Sequence, residues 1–205
     1  MFTATSHLQQ KSNTGEDSLI LIEKEKTIWF CVADGAGGTG SGAMASQYIS
    51  NAFGELTSMQ ELTQPDDFES FLRKIDLELM AENTGGESTA VMGIVKSGMV
   101  IGASVGDSEA WLFNIKYELG ITDHQNLKPL LGSGKAIPIG FGPIELDKHL
   151  LVASDGLFKY TELSKLRTKL NGVTVAAELA ELSALPSGAY QDDVSVILIE
   201  KSHNE

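Results

Sequence analysis

Cysteine is almost missing from this chain, and arginine is scarce. The one cysteine, Cys31, lies inside an apolar run, so no disulfide framework exists and a reducing, cytoplasmic setting is expected. Arginine occurs only at Arg73 and Arg167, which leaves little source for a bidentate guanidinium clamp on phosphate. No apolar run approaches the ~20 residues that span a bilayer. The first residues, MFTATSHLQQKSN, carry neither a basic start nor an apolar signal segment. Positive charge is short as well: 15 Lys and Arg against 28 Asp and Glu give a net charge of −13. That balance argues against nucleic acid and against an anionic membrane as partners. No repeat, low-complexity tract or linker divides the 205 residues, 42% of them hydrophobic. One domain spanning 1–205 is expected, as a monomer.

What is present is organised around residues 29–45, WFCVADGAGGTGSGAMA. The apolar run 28–33 has the character of a strand and stops at one carboxylate, Asp34. Gly35, Gly37, Gly38, Gly40 and Gly42 follow, and then Met44, Tyr48, Ala52 and Leu56 recur at helical spacing. A strand thus delivers an acid to a turn that feeds a helix. Either the turn grips a phosphate through its amides, or Asp34 grips a metal.

Along the rest of the chain, residues 18–23 (SLILIE) and 27–33 predict an antiparallel hairpin. Asp66 or Asp67 caps a helix whose apolar face is Phe68, Phe71, Leu72, Ile75 and Leu79, ended by Thr84, Gly85 and Gly86. Residues 88–95, 99–105 and 109–114 predict a three-stranded antiparallel meander, and 122–143 an irregular stretch with three of the five prolines. Residues 149–154 (HLLVAS) form a strand ending at Asp155 and Gly156. Helical patches at 161–170 and 173–182 follow, then Asp192, Asp193 and a last strand at 194–200. Runs of strands with helices segregated between them argue an α+β fold, two antiparallel sheets face to face with helices outside.

Residues 35–40 match G-x-G-x-x-G, but a dinucleotide site needs a parallel strand after the next helix and an acid for the ribose. A second helix stands there instead, and Asp34 would oppose a pyrophosphate. No Gly-Lys-Ser/Thr exists for a Walker loop. The metal reading gains because the pattern recurs. Asp34, Asp155, Asp192 with Asp193, and Glu16 with Asp17 all stand at strand ends. Hard carboxylate oxygens gathered at one rim of a sandwich suit Mg²⁺ or Mn²⁺.

In that order, VADGAGG, ESTAV, VGDSEAWLF, LLVASDGLF and QDDVSVILIE resemble the metal-dependent protein phosphatases of the protein phosphatase 2C type. The resemblance runs from residue 13 to 200. It implies an αββα sandwich with a reduced flap and two Mn²⁺ or Mg²⁺ ions at one edge. By that resemblance Asp34, Asp155 and Asp192 become the catalytic metal ligands: Asp34 bridges both ions, the Gly35 carbonyl binds one, and Asp155 and Asp192 hold the other. Glu16 and Asp17 act through bound waters. A water bridging two ions ~3.5–4 Å apart is acidified and attacks phosphoserine or phosphothreonine in line, without a covalent phosphoenzyme. The substrate is then a phosphorylated protein, with a cognate Ser/Thr kinase.

Four departures from the family qualify this. Ser12 stands where a phosphate-binding arginine is expected, with Lys11 beside it as a possible point charge. Ala36 replaces a histidine found in some members, and Glu109 replaces an arginine. Lys159 replaces an aspartate that would share a third metal with Asp107, so an ammonium could stand in for that cation or turn to solvent. Two other functions stay open: a catalytically weak relative that binds phosphoproteins as a regulatory module, and a phosphatase for small phosphorylated metabolites.

Overall fold

Alternation of side chains along one central strand sorts the molecule into layers. In the computed structural model, which describes residues 1–36, 40–57, 62–82, 86–114, 117–172 and 174–202, β3 (Thr27–Ala36) pairs with β2 (Asp17–Lys24) on one side. On its other side it pairs with β5 (Ala90–Lys96). Its Trp29, Cys31 and Ala33 pack under two helices, α1 (Ser41–Leu56) and α2 (Pro65–Glu82). Its Ile28, Phe30 and Val32 face the opposite way and meet Leu150, Val152, Ile197 and Ile199 of a second sheet. A period of two places successive residues on opposite faces, so one strand contributes to two cores.

The first sheet runs β2–β3–β5–β6–β9, with β6 at Met99–Val105 and β9 at Ile139–Glu145; β4 (Glu87–Ser88) extends it by pairing β3. The second runs β1–β11–β10–β7–β8, with β1 Phe2–Gln9, β7 Glu109–Phe113, β8 Glu118–Gly120, β10 His149–Ala153 and β11 Val194–Lys201. Its outer face packs against residues of α3 (Asp155–Phe158), α4 (Leu163–Leu170) and α5 (Ala176–Ala180), followed by a 3₁₀ turn at Glu181–Ser183. The α+β sandwich of two antiparallel sheets between helices is the expected fold. Every strand pairing among the described residues is antiparallel, which leaves no βαβ unit for a dinucleotide.

Several local expectations are corrected. The meander does not form: β5 and β6 pair, but β7 leaves for the second sheet and pairs β10, while β9 takes the free edge of β6. Gly106, at φ +101°, turns the chain there. Residues 139–143 of the supposed irregular stretch belong to β9. β1 was hidden by its polar composition; it is an edge strand whose Phe2 and Ala4 reach the inter-sheet core. The buried stripe of α1 is Ala45, Ile49 and Phe53, while Met44 is exposed. Residues 37–39 of the glycine turn and 84–85 after α2 lie outside the described residues.

Between β8 and β9, residues 121–138 contain no helix or strand beyond one bridge, Ser88 to Leu131. They are held by buried Asp76 of α2, which accepts N–H groups of Gly132, Gly134 and Ala136 at 2.8–2.9 Å. Among the described residues no helix is long and apolar enough to cross a membrane.

Candidate metal centre

β3 does not stop at Asp34; it continues to Ala36 and exchanges β5 for β4 as partner. Between those two partners stands Thr89, whose side chain does what the ladder does elsewhere. Asp34 N–H donates to Thr89 Oγ1 at 3.1 Å, and the Asp34 carbonyl accepts from Thr89 N at 2.8 Å and Ser88 Oγ at 2.9 Å. Thr89 Oγ1 also bonds Ser108 Oγ at 2.7 Å, which ties the ESTAV segment to Gly-Asp-Ser. Ser88, Thr89 and Ser108 lie inside the ESTAV and VGDSEAWLF motifs, where residue type alone points to no metal ligand. They fix the backbone that carries Asp34.

By alternation, Asp34 shares the inter-sheet side of Ile28, Phe30 and Val32. Asp17 shares that of Leu19 and Leu21, and the two aspartates are direct partners across β2 and β3. Like charges opposite one another in a ladder are unfavourable. Opposite them, Ser154 and Ser195 extend the inward rows of β10 and β11. Asp155 follows Ser154 and opens α3.

One carboxylate oxygen from each of Asp34, Asp107 and Asp155 lies within 4.8 Å of the others. Burial, followed by the charges of Asp17, Asp155, Asp107 and Asp192, raises the Asp34 carboxyl far above its usual range. Burial likewise raises Asp17, moderated by the neighbouring Ser154 and Ser195 hydroxyls. Asp155 is raised by burial, with Lys159 holding it down. Lys159 Nζ forms an ion pair with Asp155 Oδ2 from the C-terminal end of α3.

These oxygens fit a cation. Asp17 Oδ2 and Glu16 Oε1 are buried without any hydrogen-bond partner, a cost of ~1–3 kcal/mol or more each unless something binds them. Hard, negatively charged donors with open valences are the chemistry of Mg²⁺ and Mn²⁺ sites. Asp192 is near enough to raise Asp34 and Asp155, but its Oδ1 accepts the Asp193 N–H at 3.1 Å. Asp107, which the resemblance assigned to a third-metal position, contributes an oxygen to the same group as Asp34 and Asp155.

Gly35 and Gly42 have a packing role as well. A Cβ on Gly35 would fall 2.2 Å from the Gly42 carbonyl, and one on Gly42 would fall 2.8 Å from Glu16 Oε1. They let the start of α1 press onto β3 and Glu16. The Glu16 carbonyl accepts from Gly35 N at 3.1 Å and Ser46 Oγ at 2.5 Å. Lys11 is exposed, and its backbone N–H donates to Asp193. Glu109 accepts from Trp111 Nε1 at 2.6 Å; burial, then the charges of Asp123, Asp107 and Asp155, raise its carboxyl, with the Trp111 bond working against them. Cys31 is fully buried and its thiol is pushed up by burial, which removes it as a nucleophile.

No family model and no curated relative matches this chain. Solved structures do. A bacterial serine phosphatase is 19% identical with a TM-score of 0.83, covering 100% of both chains. The serine/threonine phosphatase of Staphylococcus aureus is 20% identical with a TM-score of 0.83, over 99% of this chain and 96% of that one. The catalytic domain of the serine/threonine protein phosphatase PstP, solved in complex with two manganese ions, is 18% identical with a TM-score of 0.79 over 97% of both chains. At these identities the likeness establishes the fold, and it is the fold the sequence motifs implied.

Proposed function

We propose that this chain is a metal-dependent protein serine/threonine phosphatase, with residues 1–205 as one catalytic domain. The observation that carries it is the meeting of Asp34, Asp107 and Asp155 oxygens within 4.8 Å, beside an unpartnered buried Asp17 oxygen, on a fold shared with such phosphatases. Asp34, the Gly35 carbonyl, Asp155 and Asp192 would hold two Mn²⁺ or Mg²⁺ ions, with Glu16, Asp17 and Asp107 around them. Bound there, divalent ions acidify water and offset charge on phosphoryl oxygens. The chain's own part is to hold that charge in place. Thr89 and Ser88 fix Asp34, Ser154 and Ser195 face Asp17, and Lys159 neutralises one charge at Asp155. With no arginine at position 12, Lys11 offers a point charge toward substrate phosphate rather than a fork. The substrate class is a phosphorylated protein, made by a Ser/Thr kinase. Residues 121–138 hold no helix, which supports the reduced flap that the resemblance implies.

The test is phosphate release from a phosphoserine or phosphothreonine peptide, a phosphotyrosine peptide and a chromogenic phosphate ester, each with Mn²⁺ and with EDTA. Mn²⁺-dependent turnover favouring the serine or threonine peptide is expected. No release from any of the three, with no divalent ion bound in a titration, overturns the reading.

Lys159 makes a separate prediction. Its ammonium engages Asp155 and so competes with any cation for that carboxylate. Lys159→Asp is expected to shift the midpoint of a Mn²⁺ titration to at least ~10-fold lower concentration, the scale of one close charge at intermediate dielectric. An unchanged midpoint would show that Lys159 has no hold on the site.

A further inference from the structure

We propose that Asp193 is a positioning residue that builds the N-terminal rim of the site, and that its carboxylate is required for this. The loop 10–16 has no helix or strand of its own. It is nonetheless tied at both ends to one side chain, which also reaches the first residue of β2. Lys11 N–H donates to Asp193 Oδ1 at 2.7 Å, and Glu16 N–H and Asp17 N–H donate to Oδ2 at 2.6 Å and 3.4 Å. The donors come from both ends of the loop, and each oxygen accepts from a different end. Only an acceptor-only group satisfies this. An asparagine has one acceptor oxygen and would turn its NH₂ toward a backbone N–H at the other position.

The same residue joins two further pieces of the rim. Its own N–H bonds Asp192 Oδ1, which orients that carboxylate. Its carbonyl lies so close to Gly156 that a Cβ there would approach to 1.9 Å, which seats Asp193 against the residue following Asp155. The segments carrying Glu16 and Asp17, Asp155, and Asp192 therefore converge on one carboxylate and its backbone. The family resemblance placed Asp193 where asparagine is usual, behind the metal ligands, and gave it no partners.

The consequence for ion binding rests on the phosphatase reading; the clamp itself does not. Asp193→Asn is nearly isosteric and leaves the sheets untouched. Amide hydrogen exchange at Lys11 and Glu16 is expected to speed up at least ~10-fold in Asp193→Asn, with exchange in β5 and β6 unchanged. Mn²⁺ affinity is expected to fall ~10–100-fold, as when a residue that orients a ligand is lost. Saturating Mn²⁺ should restore kcat, so the loss appears in the metal requirement rather than in turnover, which general destabilisation would not produce.

Unchanged exchange at Lys11 and Glu16 in the variant overturns the proposal. If the variant does not fold, the wild type decides. Slow exchange at those two loop amides supports the clamp, and exchange at the rate of an unstructured peptide overturns it. Faster loop exchange in the variant of a protein that binds no Mn²⁺ at all would uphold the clamp and overturn the phosphatase reading.

Discussion

Asp34→Asn is expected to abolish phosphatase activity while raising the melting temperature of the metal-free protein. Activity should fall on the order of 10³-fold or more, about 4 kcal/mol of transition-state stabilisation, because Asp34 sits where the charges of Asp17, Asp155, Asp107 and Asp192 converge. The opposite sign for stability follows from the same geometry. Asp34 and Asp17 face each other across the ladder, and burial disfavours both ionised forms. An amide at position 34 keeps the shape and folds without the proton uptake or buried charge that the carboxyl requires. A gain of about 1 kcal/mol corresponds to ~2–4 °C for a chain of this size. Melting curves in EDTA, run beside phosphate-release assays in Mn²⁺, measure both. A variant that is less stable without metal, or as active as wild type, would remove Asp34 from the centre of the site.

In EDTA, the wild type is expected to lose stability as pH rises, the reverse of the usual behaviour of salt-bridged carboxylates. Asp17 is raised to about 6 and Asp34 to about 9, against an unfolded value of ~3.9. Between the unfolded and folded values the native state binds more protons than the unfolded chain. Stability therefore falls as pH climbs from ~4 through these folded values. Bound Mn²⁺ takes the place of those protons, so saturating metal should flatten the slope and raise the melting temperature most at the alkaline end. Thermal melts at several pH values between about 5 and 9, with EDTA and with Mn²⁺, test this. A melting temperature in EDTA that is flat or rising across that range contradicts it, and Asp34→Asn should remove most of the slope.

Much of the framework was legible because its signals are local. The alternation of residues 27–33 marked a strand, and Phe68, Leu72, Ile75 and Leu79 marked the buried face of α2, where all four are found. Aspartates next to glycine at strand ends marked the rim. Where reading failed, partner choice was the reason. Glu109–Phe113 alternates as a strand in either sheet, and nothing in those five residues says that β10 rather than β6 will pair with it. Phe2–Gln9 is too polar to announce itself, since an edge strand buries only part of one face.

Sequence alone therefore determined that this is an α+β chain with acidic strand ends, too poor in arginine to grip phosphate by a fork and with no second parallel strand for a dinucleotide. Tertiary structure decided which of those acids meet. Asp17 faces Asp34 because β2 and β3 pair in that register, and Asp107 joins them because the chain changes sheets at Gly106. Lys159 reaches Asp155 because one turn of α3 separates them. Asp193 gathers the loop 10–16 because a carboxylate can accept from both of its ends. Periodicity is set by neighbours along the chain, whereas these meetings depend on register and on the passage between sheets, which residues far apart in sequence decide together.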